Sequence, residues 1–283
     1  MAVNKQAIKG RIKSINATMK ITRAMKLIAN AKLAKQRRLM EENKEYALVL
    51  KETVQEIIAN NQNVENRYLT SKNSDQVLTI AFCSDLGLCG GYNINMMKTL
   101  TAAISKDDPI ILIGTKSRNW LVNRGYNVIN DAIGSDNITY LKMKQLVDQA
   151  ITYYDHDEVS KIQVLYTKFV NTVSFEPQLE TLLPGQIEEN ETTTANKAYV
   201  ETLFEPNANA ILDYLIPMMV ENVTYSYWME TKTSEQGTRR LAMENATDNA
   251  QDLNDKLLLE YNKARQSAIT QEITEIVSGA DAI

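Results

Sequence analysis

The sequence predicts an α/β protein in two parts. One is an antiparallel coiled coil of long N- and C-terminal helices; the other is a small α/β domain with a mostly parallel sheet. Three observations predict this. Helix-forming residues dominate roughly the first 60 and the last 75 positions. The stretch between them alternates short apolar runs with helical segments. Third, helices of about 55 and 65 residues would be ~80 and ~100 Å long, whereas a compact chain of this size has a radius of gyration near ~19 Å. Neither helix fits inside such a body, and the cheapest cover for each apolar stripe is the other helix. The expected parts are residues 1–60, the α/β domain at 75–200, and 207–283.

The first helix is expected from about Asn4 to Ala59. After Gly10 no glycine or proline occurs until Gly87. Apolar residues recur at Ile8, Ile12, Ile15 and Met19, with a parallel stripe at Ile21, Met25 and Ile28. Leu33, Met40, Ala47, Leu50, Val54 and Ile57 continue the period. At the far end Asn207 and Asn209 are N-cap candidates, and only Pro217 and Gly237 interrupt Ala210–Ser278. Leu241, Leu253, Leu257, Ala264 and Ala268 keep helical spacing, and Ile269, Ile273 and Ile276 form an adjacent stripe. Pro217 should kink this helix or mark a junction, and Gly279 is placed to end it.

Between the helices, Val77–Cys83, Ile110–Ile113, Asn127–Asn130 and Ile162–Phe169 read as strands. Helical segments near Ile94–Ser105, Ser117–Arg124 and Tyr140–Tyr154 alternate with them, which implies mostly parallel pairing. Val173–Leu183 adds an antiparallel edge strand, and Gly185–Ala198 is a polar connection.

Composition removes several function classes. The formal charge of −4 conceals a net +10 over Met1–Lys44 and −7 over Glu205–Ile283, a polarity that favours pairing of the two ends. No apolar run approaches the ~18–20 residues of a membrane span, and the basic start lacks the apolar segment of a secretory signal. Two cysteines, Cys83 and Cys89, make no disulfide framework, so a reducing cytosol is expected. One histidine, His156, and no CxxC leave no metal site and no cofactor to assign.

The turn Cys83-Ser-Asp-Leu-Gly-Leu-Cys-Gly-Gly-Tyr-Asn93 follows a strand and precedes a helix, where glycines can bring amides to a phosphate. It is neither GxGxxG nor GxxxxGK[ST], which favours a structural turn over a nucleotide site. His156 has no paired nucleophile. The basic first helix could meet nucleic acid or an anionic membrane. It lacks aromatics before Tyr46, and an acidic protein partner fits equally well.

Several motifs, in order along the whole chain, resemble the gamma subunit of F-type ATP synthase. They are Lys20-Ile-Thr-Arg-Ala-Met25, Ala31-Lys-Leu33, Ser84–Asn93, Ser234-Glu-Gln-Gly-Thr-Arg-Arg-Leu-Ala-Met243, Ala246-Thr-Asp-Asn249, Tyr261-Asn-Lys-Ala-Arg-Gln266 and Ile269–Ala282. In the turn, Leu86 replaces the family's arginine and Tyr92 its leucine, and Arg240 stands where an apolar residue is expected. The resemblance implies a Rossmann-like α/β foot with a terminal coiled coil, acting as a non-catalytic central-stalk rotor. The implied partners are an alpha and beta subunit hexamer, an epsilon subunit and a c-subunit ring, with no nucleic acid. The implied location is the cytoplasmic face of the cell membrane, held peripherally. By resemblance Met25, Arg239, Arg265, Gln266, Thr270 and Glu272 face the stator. Glu205, within Phe204-Glu-Pro-Asn207, touches the ring. A scaffold of an F-type-like ATPase with another output is the alternative, and no plastid-type cysteine insertion is present.

Overall fold

The sheet is the simplest place to see how the expected pattern is realised. A computed structural model describes residues 2–60, 66–70, 72–136, 138–185, 205 and 207–280. Its elements are α1 (Ala2–Asn60), β1 (Val77–Phe82), α2 (Tyr92–Ala103), β2 (Ile110–Ile113), α3 (Arg118–Val122), α4 (Tyr140–Asp155), β3 (Lys161–Phe169), β4 (Phe175–Leu183) and α5 (Ala208–Ala280). The strand order is β2-β1-β3-β4. β1 pairs in parallel with β2 and β3, and β4 closes one edge antiparallel to β3. Contacts divide the chain into two compact units, Lys32–Thr238 and the pair Met1–Ala31 with Arg239–Ile283.

In the Lys32–Thr238 unit both faces of the sheet are covered, which is why its strands are continuous apolar runs rather than alternating ones. Leu78, Ile80 and Phe82 of β1 join Ile111, Ile113, Ile162 and Val164 in a core with α4, α1 and α5. Ala81, Ile110, Leu112 and Leu165 face the other way, against Met96 and Leu100 of α2 and Leu121 of α3. Helices therefore leave β1 on opposite sides, as in doubly wound folds.

The expected strand at Asn127–Asn130 is a correction. Only isolated bridges form there, Ile110 with Val128 and Ile113 with Ile133. The reason is Asn130, whose side chain takes the place of a strand backbone. Its Oδ1 accepts from Leu112 N at 2.8 Å and its Nδ2 donates to Leu112 O at 2.9 Å. One side-chain amide satisfies both ladder groups, so the backbone is free to turn away.

Helix starts follow local chemistry. Asn207 Oδ1 accepts from Ala210 N at 2.9 Å, making Asn207 the cap that opens α5. Thr139 caps α4 through Lys142 N. α5 runs through Pro217 without a break and extends to Ala280, one residue past the expected stop at Gly279. Of the polar connection expected over Gly185–Ala198, only Gly185 lies within the described residues.

In the other unit, Ala2–Ala31 of α1 and Arg239–Ala280 of α5 pack as an antiparallel pair. Lys26 meets Glu244 at 2.7 Å and Thr22 meets Thr247 at 2.7 Å, so residue numbers fall on one helix as they rise on the other. The covered positions keep part of the expected stripes, through Ile8, Met19 and Leu257, and depart from the adjacent ones. On α1 they are Ile8, Met19, Thr22 and Ala29, whereas Ile21 and Ile28 are exposed. On α5 they are Met243, Thr247, Asn254 and Leu257, whereas Leu253, Ile269, Ile273 and Ile276 are exposed. The 3-and-4 spacing of the covered positions is that of a coiled-coil seam.

Candidate functional surfaces

The Gly-rich turn is built from local partners. Asn93 Nδ2 donates to Ser84 Oγ at 2.7 Å, and Ser84 Oγ donates to Leu86 O at 2.7 Å. Asp85 accepts from Thr115 N and Asp136 N at 3.1 and 2.9 Å, tying the turn to the β2 side. Leu88 and Gly90 take positive φ of 61° and 56°, which lets the chain reverse before α2. These groups are engaged within the turn, in keeping with a structural role. Cys83 beside it is buried, and that burial pushes its thiol up to about 11, away from thiolate chemistry.

In doubly wound sheets, ligands commonly bind beyond the carboxyl ends of the strands where the helices switch sides. Here that place, beside β1 and β3, is occupied by α5. Thr231 Oγ1 accepts from Thr167 N at 3.1 Å, Ser234 Oγ donates to Thr167 O at 3.0 Å, and Glu230 Oε1 accepts from Phe169 N at 3.0 Å. Burial raises the Glu230 carboxyl, while Phe169 N–H, Lys44 and Lys168 pull it back. Lys232, only 3 % exposed, bonds Asp136 at 2.5 Å and Glu235 at 2.6 Å. Burial opposes its charge, yet the two carboxylates together hold its pKa above that of an ordinary lysine. Sequence reading missed this buried polar segment. Its one sequence signal is a run of threonine and serine in a helix, residue types with weak helix propensity.

The residues carried over by resemblance fall into separate places. Gln266 and Thr270 share one face of α5, with Thr270 Oγ1 donating to Gln266 O at 3.0 Å. Arg265 and Glu272, seven apart, share another face, and all four are exposed. Arg239 is about 40 Å down the same helix from Gln266 and is buried. Met25 on α1 is half-buried and lies one turn-neighbour away from the Lys26–Glu244 pair. Glu205 is exposed; Phe204 and Pro206 beside it lie outside the described residues. Arg240, the departure noted in the sequence, bonds Glu244 at 3.0 Å, so Glu244 collects a cation from each helix.

The coil register brings the first residue of α1 to the level of about Ser267. Beyond it, every described side chain from Ile269 to Ser278 is exposed. Ile269, Ile273, Ile276 and Val277 form an apolar stripe on this stretch. An exposed apolar stripe of this kind marks a surface that a partner covers.

A pH prediction follows from the coil. The hydrogen bond and charge of Lys26 hold the Glu244 carboxyl below its usual value of 4.5. A lowered folded pKa stabilises above the unfolded value and is lost as pH falls through the folded one. Coil stability should therefore decline below about pH 4.5, by no more than about 1 kcal/mol for so exposed a pair. Melting of the full chain against pH checks this: Glu244→Gln should flatten that limb, and an unchanged limb would speak against it.

Taken together, these features define a class: an α/β unit whose ligand crevice is filled by its own long C-terminal helix, which ends in a bare tip. A family model described as ATP synthase matches residues 4–283. An ATP synthase gamma chain of Alkaliphilus metalliredigens is 38% identical over 288 residues, covering 100% of both chains. A sodium-ion-specific ATP synthase gamma chain of Acetobacterium woodii is 36% identical over 301 residues, again covering 100% of both. A chain in the Euglena gracilis mitochondrial ATP synthase OSCP/F1/c-ring structure shares the fold, with a TM-score of 0.69, 18% identity, and coverage of 100% of this chain and 95% of that one. This chain belongs to the ATP synthase gamma chain family.

Proposed function

We propose that the chain is the central-stalk rotor of an F-type ATP synthase. It carries no catalytic residue of its own and couples ion-driven rotation of a c-ring to ATP synthesis or hydrolysis on beta subunits. The observation that carries this is the bare tip of α5, an apolar-striped helix exposed on every side from Ile269 to Ser278. A tip of this kind suits a sleeve that touches it on all faces as it turns. The sleeve is an alpha and beta subunit hexamer; the α/β unit, with Glu205 as the ring contact, stands with an epsilon subunit on the c-ring. No described helix is long and apolar enough to cross a membrane. In this reading attachment is peripheral, through the partners, at the cytoplasmic face.

Rotation sets a condition on the contacts. A deep energy well at one angle would stall the shaft, so each contact must be shallow. Exposed polar pairs worth about 0–1 kcal/mol meet that condition better than a buried pair whose rupture costs about 3–5 kcal/mol. Met25, Arg265, Gln266, Thr270 and Glu272 are the contacts assigned to the stator, with Arg239 as a mostly buried support. Single alanine substitutions at Gln266, Thr270 or Glu272 should lower ion-driven ATP synthesis partially, by about two- to fivefold at these energies, while hydrolysis persists. Complete loss of hydrolysis in Gln266→Ala alone would contradict this. The reading itself is tested by mild-detergent purification of the tagged chain with mass spectrometry of what accompanies it. Recovery of alpha, beta, epsilon and c subunits is expected, and their absence from an intact preparation would overturn it.

A further inference from the structure

From Trp228 to Gly237 every residue of α5 is buried, although most are polar. Polar groups are a poor way to stabilise a core, since apolar residues of similar volume serve as well or better. Their value lies in direction. Apolar packing is indifferent to angle, whereas a hydrogen bond weakens steeply when its donor swings away.

The contacts come from two directions. At about 100° per residue, Glu230, Thr231 and Ser234 share one face, and they bond the backbone of Thr167 and Phe169 at the end of β3. Trp228 and Lys232 lie about 120° round the helix. Trp228 Nε1 donates to Ser135 O at 3.3 Å, and Lys232 bonds Asp136. Gly237, seven residues after Glu230, returns to the first face, where a Cβ would come within 2.4 Å of the Phe175 ring of β4. We infer that this two-sided grip fixes the rotation of α5 about its own axis, so that torque applied to the α/β unit enters the helix without slip. Thr231, Ser234 and Glu230 are positioning residues of the rotor. They are buried and act by holding the helix. The inference rests on the rotor reading above.

The test is angular fluctuation in the assembled complex, fixed through its hexamer, with a reporter on Lys106→Cys of the α/β unit. Thr231→Val with Ser234→Ala removes both bonds to Thr167 at nearly constant volume, leaving that of Glu230 to Phe169. The variance of the reporter angle in the stalled complex should rise at least about twofold, and ion-driven ATP synthesis should fall more than hydrolysis does. Thr231→Ser keeps the hydroxyl and should restore both, which a loss of packing alone would not predict. Should the double variant fail to assemble, Thr231→Val alone gives the same reading. Variance and synthesis-to-hydrolysis ratio equal to the unsubstituted complex would overturn the grip. A reporter that never turns in the unsubstituted complex would instead overturn the rotor reading beneath it.

Discussion

Gly114→Ala is expected to unfold the α/β unit under conditions where the parent chain is stable. Gly114 ends β2 with φ at +106°, a conformation that L side chains rarely adopt. A Cβ there would lie 2.1 Å from the carbonyl oxygen of Cys83 and 2.8 Å from its sulfur. Neither neighbour can yield easily. Cys83 N is bonded to Ile113 O at 2.8 Å, and Gly114 N to Ile133 O at 2.8 Å, so moving either strand end breaks the parallel ladder. Backbone strain of about 1–2 kcal/mol and overpacking of about 1–3 kcal/mol act together, giving a loss of about 2–5 kcal/mol. For a domain of ordinary stability that is a large share of the total. Urea denaturation followed by far-UV circular dichroism and limited proteolysis of the middle of the chain measure it. A midpoint within error of the parent would show that the strand ends can part without cost.

The second large effect is expected at Lys232. Its ammonium is shared by Asp136 and Glu235, and the Glu235 side chain is only 2 % exposed. Lys232→Ala removes the cation and leaves a carboxylate in a site built around that charge, at a cost of about 3–5 kcal/mol. The paired change Lys232→Met with Glu235→Leu should recover most of the loss, because well-packed apolar residues replace a buried ion pair at little net cost. A double variant no more stable than Lys232→Ala would mean that packing, rather than charge, dominates this site. The comparison is made by chemical denaturation of the full chain.

What the sequence made legible depended on hydropathy. The long helices were legible because breakers are absent over Gly10–Gly87 and rare after Ala210. β1, β2 and β3 were legible because strands buried on both faces are unbroken apolar runs. The coil seam was legible only in part, at Ile8, Met19 and Leu257. Its covered positions include Thr22, Ala29, Thr247 and Asn254, which carry little hydropathy signal, while the brighter Ile21, Ile28, Ile269, Ile273 and Ile276 face outward. Apolar residues that a partner would cover look the same in sequence as those the chain covers itself. The supposed strand at Asn127–Asn130 failed for another reason: a side-chain amide can imitate the backbone of a strand, and periodicity does not register it. The grip on α5 left only a faint signal, because buried threonine, serine and lysine look like a solvated face. The candidate stator contacts came from resemblance in motif; Arg265, Gln266, Thr270 and Glu272 are exposed on α5, as contact by a partner requires, whereas Arg239 is buried.

The most direct measurement is of turning itself. Cys83 and Cys89 are each 2 % exposed, so a cysteine introduced at exposed Lys106 takes a visible reporter selectively. With the complex immobilised through its hexamer, ATP should drive that reporter continuously in one direction, and its removal should bring the reporter to rest. A reporter that stays at a fixed angle while the same complexes hydrolyse ATP at the full rate would contradict the rotor assignment.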